Sequence, residues 1–192
     1  MNRRSLLLGL AGGVPAASGA MLWAPRVFAR NPHNSYFSKL NESLKREGPG
    51  RPVMLIDREA VNHNIDVIAN SVGKKKNYRV VVKSLPSLGL LEHVMSRSKT
   101  NSLMVFHQPF LNAVAENLPR SDVLLGKPLP INAAKMFYTK LGKRSYDAAG
   151  KVQWLIDSPD RLLEYMQLAK DLGVSMKLNI ESDVGLRRGG YV

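Results

Sequence analysis

Lys83 closes the apolar run Val80-Val81-Val82. A lysine amine attacks a carbonyl only when uncharged. Exclusion of water at the end of a buried strand disfavours the ammonium, so such a lysine is a candidate Schiff-base nucleophile. The bland alternative is a strand-end lysine whose stem lies along apolar surface while its head stays in water. Four more polar residues follow short apolar runs in the same way: His107, Lys127, Asp157 and Asp183. Taken singly each is ordinary; the recurrence marks one ligand-facing end. His33, His63 and His93 carry no metal-ligand spacing and are read as surface or core residues. With no cysteine in the chain, disulfides and thiolate metal sites are excluded, and no residue is singled out as a metal ligand.

Regular elements must bring those residues together. Val53-Met54-Leu55-Ile56 reads as a short strand, Asp57 as an N-cap, and Val61, Ile65, Ile68 and Val72 as one stripe of a helix closed by Gly73. An alternation follows. Strands are expected at 79–82, 103–106, 123–125, 152–156 and 174–180, with helices at 86–95, 110–118, 133–141 (closed by Gly142) and 158–172. In the last of these Ser158 serves as N-cap, Pro159 lies in the first turn and Gly173 is the stop. Five strand–helix units with nearly continuous apolar strands predict an α/β fold with a parallel sheet, its ligand beyond the carboxyl ends of the strands. No G-x-G-x-x-G or P-loop follows any strand, so a nucleotide-binding doubly wound sheet has no signature here. A closed barrel takes about 250 residues. The expectation is therefore a partial (β/α)8 TIM-like barrel of about five units, in a chain that looks truncated after Gly189-Gly190-Tyr191-Val192.

The remaining sequence divides at residues 29 and 50. Within 1–29 the paired Arg3-Arg4 precede an apolar, Gly- and Ala-rich stretch, and Val27-Phe28-Ala29 offers small residues for cleavage. That pattern resembles a twin-arginine export signal, which predicts a periplasmic protein that meets the membrane only during export. Residues 30–50 form a polar linker or short helix, and 51–192 the partial barrel. The net charge of +13 raises the possibility of a nucleic-acid or membrane-surface partner. The basic residues are dispersed, however. Their one tight cluster, Lys74-Lys75-Lys76 with Arg79, lacks an aromatic ladder, so it reads as a solvated turn and no nucleic-acid partner is expected.

Two segments together resemble a known family. Pro52 to Asp57, the helix with Asn62 and Asn64-Ile65, and Val80-Val81-Val82-Lys83 are similar to the start of the pyridoxal-phosphate enzymes of the alanine racemase fold. The likeness is to the D-threonine aldolase and D-serine dehydratase-like branch in particular. Asp183-Val184-Gly185-Leu186-Arg187-Arg188-Gly189-Gly190 is similar to the D-x-G-x-x-R-x-G turn of that fold. The resemblance implies that Lys83 forms the internal aldimine with pyridoxal 5'-phosphate. It implies that Arg188 lies near the cofactor's phenolic oxygen, with Arg187 as the adjacent candidate, and that Asp183 shapes the turn or orients Arg188. His107 is a candidate for contact with substrate or cofactor. The implied activity is amino-acid chemistry at the α-carbon, by racemisation, aldol cleavage or dehydration, in a homodimeric full-length parent.

Three features depart from the family's pattern. Ser84-Leu85-Pro86-Ser87 stands where a histidine-containing turn is frequent, and neither the phosphate-gripping region after strands seven and eight nor a C-terminal β domain follows. The 192-residue chain is therefore expected to be inactive alone. Two other classes stay open: a non-catalytic pyridoxal-phosphate-binding barrel concerned with vitamin B6 homeostasis, and a basic exported module that binds anionic ligands.

Overall fold

The computed structural model describes residues 34–73, 75–84, 87–142, 145–187 and 189–191. The export signal read at 1–29 and the arginine at 188 lie outside them, as does His33. The chain divides into two compact units, one ending at Leu55 and the other beginning at Ile56.

In the first unit, the polar stretch after Asn34 forms helix α1 (Ser35–Glu47). The Asn34 side chain accepts a hydrogen bond from the Phe37 N–H at 3.0 Å, and Lys45 and Arg46 stand in the last turn, where cations suit the helix dipole. Val53, Met54 and Leu55, with Ile56 at the start of the next unit, are all exposed and belong to no strand, contrary to the sequence expectation. An apolar run becomes a strand only where another backbone completes its ladder, and none of the described strands is paired with this one. Val53 and Leu55 instead line a shallow cleft of about 330 Å³ with Leu40 and Leu44 of α1.

The second unit opens with α2 (Arg58–Val72), capped by Asp57, whose carboxylate accepts from the Ala60 N–H at 3.0 Å. The predicted stripe is only partly used: Ile65 is buried, while Ile68 stays exposed. The helix packs against α3, through Asn62 on His93 (2.6 Å) and Asp66 on Arg97 (2.6 Å). Beyond α2 come β1 (Val80–Val82), α3 (Leu88–Ser98), β2 (Ser102–Val105), α4 (Gln108–Asn117), β3 (Asp122–Leu125) and α5 (Ile131–Leu141). A short α6 (Ala148–Lys151), β4 (Val152–Ile156), α7 (Pro159–Leu172) and β5 (Lys177–Ile180) follow. Only α6 was not anticipated, and the fifth strand begins three residues later than expected, at Lys177.

All neighbouring strands pair parallel, and their spatial order is their chain order, β1-β2-β3-β4-β5. A doubly wound sheet reverses its strand order at a switch point, whereas a barrel wall advances one strand at a time. The second unit is thus an open part of a TIM-like barrel. Alternate residues of β1 to β4, among them Val82, Leu103, Val105, Val123, Leu125, Val152 and Trp154, face the helices and form the core, and Leu178 of β5 packs against it partly buried. The intervening positions lie on the helix-free face, where Met104, Leu124 and Leu155 are half-buried and Val81 is 55% exposed. Its edge strands explain that exposure: β1 and β5 each have one neighbour among the described strands.

Three core tyrosines make the fold sensitive to alkali. Burial pushes the hydroxyl of Tyr138 up to about 12, and raises those of Tyr146 and Tyr165 as well. Tyr146 donates to the Ser121 carbonyl (3.0 Å) and Tyr165 to the Leu129 carbonyl (2.8 Å). A folded-state value above the unfolded one means the contribution is intact below pH about 10 and is lost as pH climbs through the folded values. Thermal melts followed by circular dichroism should therefore show a midpoint that falls steeply above pH about 10. A flat midpoint through that range would contradict this account.

Candidate functional site

Lys83 stands one residue beyond the carboxyl end of β1, in step with Val81 on the helix-free face. The paired register runs Val81, Met104, Leu124, Gln153 across four strands. Two residues further along, the same alternation arrives at Lys83, Phe106, Gly126 and Leu155, the last paired with Asn179. Lys83 is exposed, so the described residues do not supply the exclusion of water expected from the sequence. Its described partner is aromatic: the Lys83 ammonium lies 5.7 Å from the centroid of the Phe106 ring.

The other strand-end residues divide by role. Lys127 pairs with Glu181, just past β5, at 3.4 Å. Asp157 accepts from the Ser158 hydroxyl at 3.4 Å. His107 is exposed and is the N-cap of α4, its Nδ1 accepting from the Phe110 N–H at 3.3 Å. It occupies the alternate position to Phe106 and so does not share the row of Lys83. One ring nitrogen of His107 is therefore committed to starting a helix.

After β5 the chain makes a compact turn. Asp183 accepts from the N–H groups of Gly185 (2.9 Å) and Arg187 (3.0 Å), and Arg187 is left-handed at φ 50°. Tyr191 donates to the Glu181 carbonyl and accepts from the Asp183 N–H, both at 2.8 Å. At Gly190 the strands of the turn come so close that a Cβ would lie 2.7 Å from the Glu181 carbonyl oxygen, and φ is +106°, so only glycine fits. Arg187 is exposed on this turn; Arg188, the residue matching the motif, falls outside the described residues.

A polar network that sequence reasoning missed runs from Arg79, just before β1, to Asn179 of β5. The Arg79 guanidinium donates to the Leu103 carbonyl (2.8 Å), the Asp122 carbonyl (3.2 Å) and the Asp122 carboxylate. Gln153 donates to both Asp122 oxygens at 2.9 Å and accepts from Asn179 at 2.9 Å. Arg79, read from sequence as part of a surface cluster, is half-buried here; Lys75 and Lys76 of that cluster are exposed. Phe106 and Gly126 were missed as well. Period-two counting from Val81, Met104 and Leu124 would have found them.

Among the described residues, no group of three or more His, Cys, Asp or Glu side chains could hold a metal ion, and no helix is long and apolar enough to cross a membrane. No curated protein matches the chain. A family model does, that of the alanine racemase N-terminal domain, over residues 56–192, which is more than half of the chain. The match spans the whole second unit, from the cap of α2 through the five parallel strands to the turn beyond β5, and on it the chain belongs to the alanine racemase N-terminal domain family.

Proposed function

We propose that the second unit is the pyridoxal-phosphate-binding part of an enzyme acting at the α-carbon of an amino acid, of the D-threonine aldolase, D-serine dehydratase or racemase type. The observation that carries this reading is the placement of Lys83, an accessible amine at the carboxyl end of a parallel strand in a barrel wall. The residues around it suit a flat aromatic aldehyde. Phe106 supplies an apolar surface beside the amine, and Gly126 leaves room for that ring where any side chain would collide with it. When bound, pyridoxal phosphate acts as an electron sink for carbanion chemistry.

The chain's own groups take defined parts in this reading. Lys83 holds the cofactor covalently. Asp183 keeps the turn after β5 in shape through two backbone N–H groups, so that Arg188, or Arg187 beside it, can set a positive charge against the phenolic oxygen. His107 retains Nε2 for substrate or cofactor while Nδ1 caps α4. We further read residues 1–29 as a twin-arginine export signal to the periplasm and the full-length parent as a homodimer, with an amino acid as substrate and no nucleic-acid partner.

Pyridoxal phosphate added to the purified chain should give a visible absorption band, and borohydride reduction should fix the label on Lys83 as a secondary amine. In Lys83→Ala, both the band and the peptide-mapped label at that position should disappear, with circular dichroism unchanged. A folded wild-type chain that takes no label on Lys83 would remove the basis of the reading.

A further inference from the structure

Resting on the reading of Lys83 as the cofactor-bearing lysine, we propose that Phe106 is the positioning residue for it. Its ring, seated over Gly126, turns a face toward the Lys83 ammonium and forms an aromatic floor for the planar cofactor beside it.

A lysine head sits on four rotatable carbons and is a compact charge, so something must restrict where it stands. Among the described residues no carboxylate pairs with Lys83. Lys127 has taken Glu181, and Asp183 spends its Oδ1 on backbone N–H groups. The Phe106 ring, 5.7 Å from the ammonium, is the partner that remains, and a cation is drawn to an aromatic face within about 6 Å of the centroid.

The ring is itself located by backbone. Gly126 donates to the Val105 carbonyl at 2.9 Å, extending the β2–β3 ladder by one bond and holding the two chains beside each other. A Cβ on Gly126 would lie 2.4 Å from both Cε1 and Cζ of Phe106, so the ring rests directly on this glycine. Any larger residue there would push it away. Phe106 is only half-buried, which leaves ring surface available at the mouth. A residue serving only to fill space would be replaceable by leucine; one serving through its π face would not.

The full chain, free of cofactor, is first methylated on its lysines with carbon-13 formaldehyde, and the Lys83 signal is assigned by its absence in Lys83→Arg. Ring current should move that signal upfield. The displacement should vanish in Phe106→Leu and Gly126→Ala and persist in Phe106→Tyr. In a second arm, unmodified protein is treated with pyridoxal phosphate and borohydride, and the label on Lys83 is compared with that on Lys127. Preference for Lys83 should fall at least fivefold in Phe106→Leu and be retained in Phe106→Tyr.

No upfield signal in the wild type, or one that survives Phe106→Leu, overturns the proposal. So does labelling that Phe106→Leu leaves unchanged, and in that case the cofactor reading still stands. Failure of the wild type to label Lys83, with the ring-current shift present, overturns the cofactor reading and the role of Phe106 with it.

Discussion

Trp154→Ala should lower the stability of the chain by about 3–5 kcal/mol, the largest loss expected from any single truncation here. Trp154 is fully buried at the centre of β4, facing the helices. Its ring is edge-on to Phe137 of α5 (5.7 Å) and to Tyr165 of α7 (5.6 Å), and stacks on Tyr138 at 5.8 Å. Removing the indole leaves a cavity bounded by three aromatic rings on two helices, which cannot all collapse inward together. Domains of this size are stable by about 5–15 kcal/mol in total, so the variant should sit close to its unfolding threshold. Trp154→Phe keeps an aromatic ring in the cluster and should lose markedly less. Urea titrations of the two variants, followed by circular dichroism, provide the check; equal losses would mean that the ring contacts contribute little.

Asp122→Ala should cost about 2 kcal/mol, a figure for hydrogen bonds to a charged group that allows for partial solvent access. The carboxylate receives the Arg79 guanidinium from just before β1 and both bonds from Gln153 of β4. Its loss strands a half-buried guanidinium and frees the Gln153 amide that receives Asn179 from β5. One substitution thus loosens contacts that join residues of β3, β4 and β5 to the start of β1. Asp122→Asn, which keeps an oxygen acceptor but also presents an N–H₂ to two donors, should fall between the wild type and the alanine variant. Amide hydrogen exchange should show the loss of protection concentrated in β1 and β5, the edge strands that the network ties in. Loss confined to β3 would refute the idea that the network acts across the sheet.

Both predictions rest on features of unequal legibility. The apolar run ending in Trp154-Leu155-Ile156 was readable as a strand, because strand residues in a packed sheet are apolar whatever lies around them. The helix from Pro159 to Leu172 was readable to the residue, because a serine cap, a proline in the first turn and a following glycine are local chemistry. The Asp122 network was not. Arg79 precedes a strand and follows three lysines, and nothing local distinguishes a guanidinium that crosses a neighbouring strand from one that lies in water.

The failure at 53–56 has the same cause in reverse. Its composition is that of a strand, but strand formation depends on a partner that composition cannot supply. His107 shows a third case: nothing local to a polar residue after a strand told that its Nδ1 would accept from the Phe110 N–H and cap α4.

Lys83 was singled out by sequence alone, from its type, its place after three valines and the recurrence of polar residues at later strand ends. The sequence by itself determined the strand–helix series, since periodicity and caps are written in neighbouring residues. Only the tertiary structure decided that the strands run in chain order as a barrel wall, that Lys83 is open to water, and that Phe106 over Gly126 is its companion. Those facts depend on register between segments twenty residues apart, and register is fixed by packing across strands.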